Sequence, residues 1–272
     1  MFRELPPLRT FLRQELWWWV GVAAATMVVI VGVYAAGRWG GVGVRNATVA
    51  ALVAAAVWMT LVGPALAASS GEWVRQLLRA GTAADAALVA MWVIVAVSPG
   101  GAGGEIGESG VVSGAGGTLT FWGACKVYVT LAAMAAAAVF VVRMARGVWA
   151  RQAAALVCSA GLFALLATPL WTGGIIAAAS ASSRDNARHW RDRVTTAAVW
   201  ANPVYSIASA TAAELQYTPH QSDYIYSAEL TLIGDYATPT PTPWFVAAIL
   251  LGGVSVVCIV IRAVRRKVTS DK

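Results

Sequence analysis

The stretch GPALAASSGEWVRQLLRAGT, Gly63–Thr82, decides the fold. It lies between two apolar runs and is too polar to cross a bilayer. Ser69 and Glu72 have the Ser-x-x-Glu spacing of a capping box, so a helix can start there. Trp73, Leu77 and Ala80 share one face of that helix, and Glu72, Arg75, Gln76 and Arg79 cover the others. Gly81 is a natural C-terminal stop. The spacing predicts a short amphipathic helix at the end of a membrane hairpin. By itself it reads as a solvated helix resting on the headgroups. The sharper reading is a contact helix that receives force from a soluble partner.

The rest of the 272-residue chain supplies the hairpin. It is 58% hydrophobic and 12% charged, where a soluble domain carries about 25% charged residues. This is the composition of a polytopic, all-α membrane protein. The net charge of +7 is therefore a matter of which loops hold the basic residues, not a nucleic-acid footprint. Cys125, Cys158 and Cys258 all fall in apolar runs without metal-ligand spacing and read as small buried hydrophobes.

Before the stretch, Leu8, Phe11, Leu12 and Leu16 form an apolar stripe opposite Arg9, Arg13 and Gln14, with Pro6-Pro7 ahead of them. This predicts an N-terminal interfacial helix rather than a signal peptide, whose apolar core would be shorter. Leu16–Ala36 is uncharged for 21 residues and opens on Trp17, Trp18 and Trp19, an aromatic belt. A Gly/Arg turn over Gly37–Asn46 leads to Ala47–Ala68, a second span with a kink expected at Gly63-Pro64.

After the stretch, Thr82–Ser98 is the weakest span, because Asp85 sits at its start; we place Asp85 at the interface, where a carboxylate costs little. Pro99–Thr118 is a glycine-rich external loop, and its SGAGG lacks the Lys-Ser/Thr of a phosphate loop. Leu119–Val142 is the fourth span; Lys126 lies one to two turns inside it, where a lysine snorkels to the boundary or, less simply, lines a polar path. Ala153–Ala181 is uncharged for 29 residues, with Pro169 and Gly173-Gly174 able to bend it. Ser182 or Ser183 can cap a helix carrying Arg184, Arg188, Arg191 and Arg193. Asn202-Pro203 can start another, Pro203–Gln216, with Asn as N-cap. TPTPTP, Thr238–Pro243, leads stiffly into Trp244–Ile261. The expected organisation is a single transmembrane domain over 1–272, with spans near 16–36, 47–68, 82–98, 119–142, 153–178 and 244–261. An external loop fills 182–243, and five of the seven tyrosines in it (Tyr205, Tyr217, Tyr224, Tyr226, Tyr236) suit a membrane boundary.

Charge orients the chain. With the N-terminus in the cytoplasm, the inner segments hold thirteen basic residues: Arg3, Arg9, Arg13, Arg75, Arg79, Arg143, Arg146, Arg151, Arg262, Arg265, Arg266, Lys267 and Lys272. The outer segments hold six: Arg38, Arg45, Arg184, Arg188, Arg191 and Arg193. The positive-inside rule then puts both termini in the cytoplasm of a multi-pass protein of the cell (inner) membrane. His189 and His220 are the two histidines, neither on a span, so paired-histidine haem and intramembrane Ser-His catalysis are not expected. No GxSxG, HExxH or Walker A sequence occurs, and we expect neither an enzyme nor a bound cofactor or metal.

Three segments carry a resemblance. PLRTFLRQELW, Pro7–Trp17, looks like the N-terminal elbow helix of type-2 ABC transporter permeases (the exporter-like kind). GPALAASSGEWVRQLLRAGT looks like their span-two end and coupling segment, with Glu72 and Leu77-Leu78 in matching places. WANPVYSIASA, Trp200–Ala210, resembles the Asn-Pro segment after their fifth span. The resemblance implies a permease subunit that pairs with a second permease, as a homo- or heterodimer in membrane lipid, and docks on a cytoplasmic ABC ATPase. It implies coupling through Glu72, Trp73, Arg75, Leu77 and Arg79, with Trp73 and Leu77 anchoring the helix and Glu72, Arg75 and Arg79 offered to the ATPase. The rival expectation is a six-span secondary transporter or channel not coupled to ATP, for which Asp85 and Lys126 are the pathway candidates.

Overall fold

In the computed structural model the described residues are 8–69, 72–97, 119–168, 193, 197, 200–215 and 243–270. They form seven α-helices and no strand: α1 Leu8–Trp39, α2 Val44–Ala68, α3 Trp73–Val97, α4 Phe121–Val142, α5 Val148–Leu166, α6 Pro203–Leu215 and α7 Val246–Ser270. All but α6 are long and apolar enough to cross a membrane. The chain is a six-span helical membrane protein. The glycine-rich stretch before α4, Pro169, Gly173-Gly174, the arginine helix up to Arg191 and most of 182–243 lie outside the described residues.

Small side chains set the packing. α2, α3 and α4 form the centre, where Ala51, Ala55, Ala83, Ala87 and Ala138 are almost wholly buried and let backbones approach. A Cβ on Gly63 of α2 would come within 3.3 Å of the Ala138 side chain on α4. α2 continues through Pro64, which lies inside the helix rather than ending it. α3 and α4 run antiparallel: Trp73 meets Phe140 at one end, and Trp92 stacks on Phe121 at the other, with centroids 6.2 and 5.1 Å apart. α1, α5 and α7 lie outside this centre and expose apolar faces that only lipid or protein can cover.

Two accessory helices are not separate elements. The lead-in stripe and the first span are one helix, α1, with no break between Leu8 and Trp39. The helix predicted over Glu72–Arg79 is the first turns of α3, which continues to Val97. Gly81 does not stop it. Glycine inside a helix costs roughly 1 kcal/mol relative to alanine, and burial of Ala80, Ala83, Ala84 and Ala87 beside it outweighs that. The capping box is not formed either. Ser69 caps the end of α2 instead, its hydroxyl donating to Leu66 O at 2.7 Å, while the Glu72 carbonyl accepts the first α3 bond, from Gln76 N at 3.3 Å. Starting α3 at Trp73 moves Asp85 from the predicted span edge to mid-helix, twelve residues from either end.

α6 is the element that the description of a long external loop underrates. Ser206, Ile207, Ala210 and Thr211 are buried, and the Ala247 N–H of α7 donates to Ser206 Oγ at 3.3 Å. The helix therefore docks on the bundle. Its start matches the sequence signal: Asn202 precedes Pro203, and Asn202 Oδ1 accepts from Val204 N at 2.8 Å.

Candidate functional site

At the end of the bundle where α1 enters, α2 ends and α3 begins, a groove of about 970 Å³ opens between the three helices. Its long walls are apolar: Trp17, Trp18 and Val22 from α1 face Trp58, Val62 and Leu66 from α2. Trp58 is held in orientation by its indole N–H, which donates to Thr26 Oγ1 at 3.0 Å; that hydroxyl donates in turn to Val22 O at 2.8 Å. The polar end of the groove is formed by Glu15, Ser69, Arg75 and Arg79.

Arg79 is the centre of this end. Its Nε and Nη2 donate to the two Glu15 oxygens at 3.0 and 2.6 Å, a bidentate pair between α3 and α1. Nη1 reaches Ser69 Oγ of α2 at 3.4 Å. The guanidinium also lies over the Trp18 ring, 5.1 Å from its centroid, a contact of roughly 0.5–2 kcal/mol. Both ionised side chains are more than nine-tenths buried. One turn earlier, the wholly buried Gln76 donates from Nε2 to Ser69 O, and its Oε1 has no partner among the described residues. Three helices are thus fastened through two side chains of α3.

The expected coupling residues therefore divide. Glu72 and Trp73 are exposed on the end face and Arg75 is half-buried at the mouth of the groove. Leu77 is half-buried against the core, as an anchor should be, and Trp73 packs on Phe140. Arg79, expected to face water, turns inward. The helical repeat that separates Arg79 from Trp73 gives a face, and here that face meets another helix's carboxylate rather than solvent. Glu15 and Gln76 were not singled out by sequence. The available signal was Glu15 itself: an acidic residue at the first residue before a 21-residue uncharged run needs a cation near it.

The two pathway candidates are both on the central helices. Asp85, exposed at mid-α3, accepts a hydrogen bond from Tyr128 OH of α4 at 2.9 Å. Lys126 is half-buried in the second turn of α4, close enough to the helix end for its four-carbon stem to carry the ammonium to the headgroups. Should the chain carry a substrate, Lys126→Met is expected to leave insertion intact and to change transport less than about threefold, in keeping with a snorkelling role. Initial transport rates in proteoliposomes check this; lost transport with normal insertion would put the ammonium on the path.

Among the described residues no group of three His, Cys, Asp or Glu is placed to hold a metal. No family model matches the chain, and no curated protein or solved structure matches it.

Proposed function

We propose that the chain is the permease subunit of a type-2 ATP-binding-cassette transporter. In this reading it forms the substrate pathway with a second permease and is driven by a separate cytoplasmic ATPase. Both termini lie in the cytoplasm of the cell (inner) membrane. The observation that carries the reading is the α2–α3 junction. Glu72 and Trp73 stand exposed on the end face, while Gln76 and Arg79, on the same helix, grip α2 and α1. A push on that face reaches three spans at once, because a bidentate buried pair resists sliding. On the described helices basic residues also concentrate at this end: Arg75, Arg79, Arg143, Arg146, Arg151, Arg262, Arg265 and Lys267, against Arg38 and Arg45 at the α1–α2 turn and Lys126 near the start of α4. The docked α6, begun by the Asn-Pro pair of the resembling segment, further supports the reading.

Mild-detergent purification of the tagged chain tests it. An ABC ATPase is expected to co-purify, and Glu72→Arg, on an exposed side chain, is expected to cut its recovery about tenfold or more, as reversal of a charge desolvated at an interface does. Recovery of the intact chain without any ATPase would sink the assignment.

A second reading rests on Asp85. A carboxylate on the exposed face of a mid-span helix is expensive in lipid unless it faces protein or water, and a proton-coupled carrier would use one. Transport that persists without ATP, follows the pH gradient and is lost in Asp85→Asn would favour it.

A further inference from the structure

The groove between α1 and α2 has a direction as well as a volume. It runs from Glu15 to Ala25 on α1 and from Ser69 back to Trp58 on α2, about 15 Å of helix on each side. Glu15 opens the membrane-crossing part of α1, and Ala68, next to Ser69, closes that of α2. The polar end of the groove therefore lies at the membrane boundary, and its apolar length runs inward along the spans. Trp17 and Trp18 stand 69% and 50% exposed at the boundary end, where indoles favour the headgroup level. Deeper in, small residues make the space: Gly21, Ala25 and Ala65 are exposed in its lining, and Val22, Val62 and Leu66 are more buried in its walls. A Cβ added at Gly21 would meet nothing within 4 Å, whereas one at Gly37 or Gly63 would come within 3.3 Å of an alanine on the neighbouring helix. Those two glycines serve helix contact; Gly21 opens the groove.

At this depth the bilayer offers no water, and apolar walls that touch nothing forfeit their dispersion contacts. Lipid or protein can supply those contacts, and width decides between them. α1 and α2 are already packed together, and another helix is about 10–12 Å across with its side chains. It is too broad to enter a furrow between two helices in contact, while a single hydrocarbon chain is narrow enough. The groove is also continuous with the outer surface of α1. Gly21, Ala25 and Val28 follow one helical face, and Val28 is 72% exposed. The polarity has the same order as a lipid: apolar along the length, polar only at the boundary. At that end the Glu15–Arg79 pair is matched within the protein, so recognition falls on the hydrocarbon chain rather than on headgroup charge.

We propose that this groove is a binding site for one acyl chain of a membrane phospholipid, which lies along α1 and α2 with its headgroup at the Glu15–Ser69 end. The site does not depend on the protein being a permease.

Native mass spectrometry of the full-length protein, released into mild detergent from nanodiscs of dioleoylphosphatidylcholine, tests this. The parent is expected to keep one phosphatidylcholine. Gly21→Leu puts a branched side chain into the groove and is expected to cut that retention about tenfold, and Gly21→Ala, which adds one methyl in open space, about twofold. Melting of each variant reads folding separately, and the alanine variant carries the test if the leucine variant does not fold. Gly161→Leu, on the exposed face of α5 where an added Cβ also meets nothing within 4 Å, should retain lipid as the parent does. Dioleoylphosphatidylglycerol should be retained within about twofold of phosphatidylcholine, because the chain and not the headgroup is held. A parent without retained lipid, unchanged retention in the folded Gly21 variants, an equal loss in Gly161→Leu, or retention that follows headgroup charge overturns the proposal. A parent dimer that becomes monomeric in Gly21→Leu with its lipid unchanged would place a second copy in the groove, and overturns it as well.

Discussion

Replacing Arg79 with alanine is expected to destabilise the bundle by about 3–5 kcal/mol, the cost of leaving one partner of a buried ion pair alone. Glu15 would keep a buried charge with no guanidinium across from it, since Arg79 supplies both of its short contacts, at 3.0 and 2.6 Å. Ser69 would lose a donor and Trp18 a cation over its ring. The pair also joins residues 64 apart in sequence, so its loss removes a tie between α1 and α3, which stay packed along their length. Detergent melting of the variant, followed by circular dichroism, measures the effect.

A surface ion pair gives a different result. If Arg79 pointed to solvent, the change would cost about 0–1 kcal/mol. The double variant Glu15→Met with Arg79→Met separates the two. Matching apolar side chains fill the space of a buried pair at little or no cost, so the double variant should melt near the parent while each single variant melts far below it. Additive losses in the single and double variants would show that the two groups do not interact. The same variant bears on the proposed permease role. On that reading a push at Glu72 travels through this pair, and the double variant should keep its fold and still recover an ATPase but transport more slowly.

The six spans were legible because they rest on length and hydropathy, which tertiary contacts hardly alter. Leu16–Ala36 and Ala47–Ala68 could be nothing else, and their helices contain those ranges. The ends were less legible. A helix boundary depends on competing costs of similar size, and at Gly81 the burial of neighbouring alanines outweighs the glycine penalty. That one boundary carried Asp85 with it, from the start of a helix to its middle. The direction of a polar face is harder still. Periodicity says that Arg79 lies away from Trp73 and Gln76 one turn beside it, and says nothing of whether water or another helix lies there. Their partners, Glu15 and Ser69, come from other helices, so the site is set by packing that no local pattern contains.

Asn202 shows the opposite case, a local signal that was read correctly and then turned out to have a wider role. As an N-cap it accepts from Val204 N at 2.8 Å, and loss of such a cap alone costs about 0.5–2 kcal/mol. The side chain is also wholly buried, and its amide donates to Leu166 O at 3.1 Å and to Thr168 Oγ1 at 2.9 Å. One residue therefore ends α5 and starts α6. Asn202→Ala would leave a buried N–H and a carbonyl unpaired, each worth about 1–3 kcal/mol, for an expected total of about 2–6 kcal/mol. Asn202→Asp should separate the two roles. It keeps the acceptor for Val204, so the cap survives, but it replaces the donor that faces Leu166 O with a carboxylate oxygen, which repels that carbonyl. The aspartate is therefore expected to destabilise the docking of α6 nearly as much as alanine does. Protease protection at Tyr205, measured against melting of the whole bundle, reads this out: the local site should open while α1–α4 stay folded. If Asn202→Asp behaved like the parent, the donor side of the amide would be idle and α6 would be held by its own apolar face.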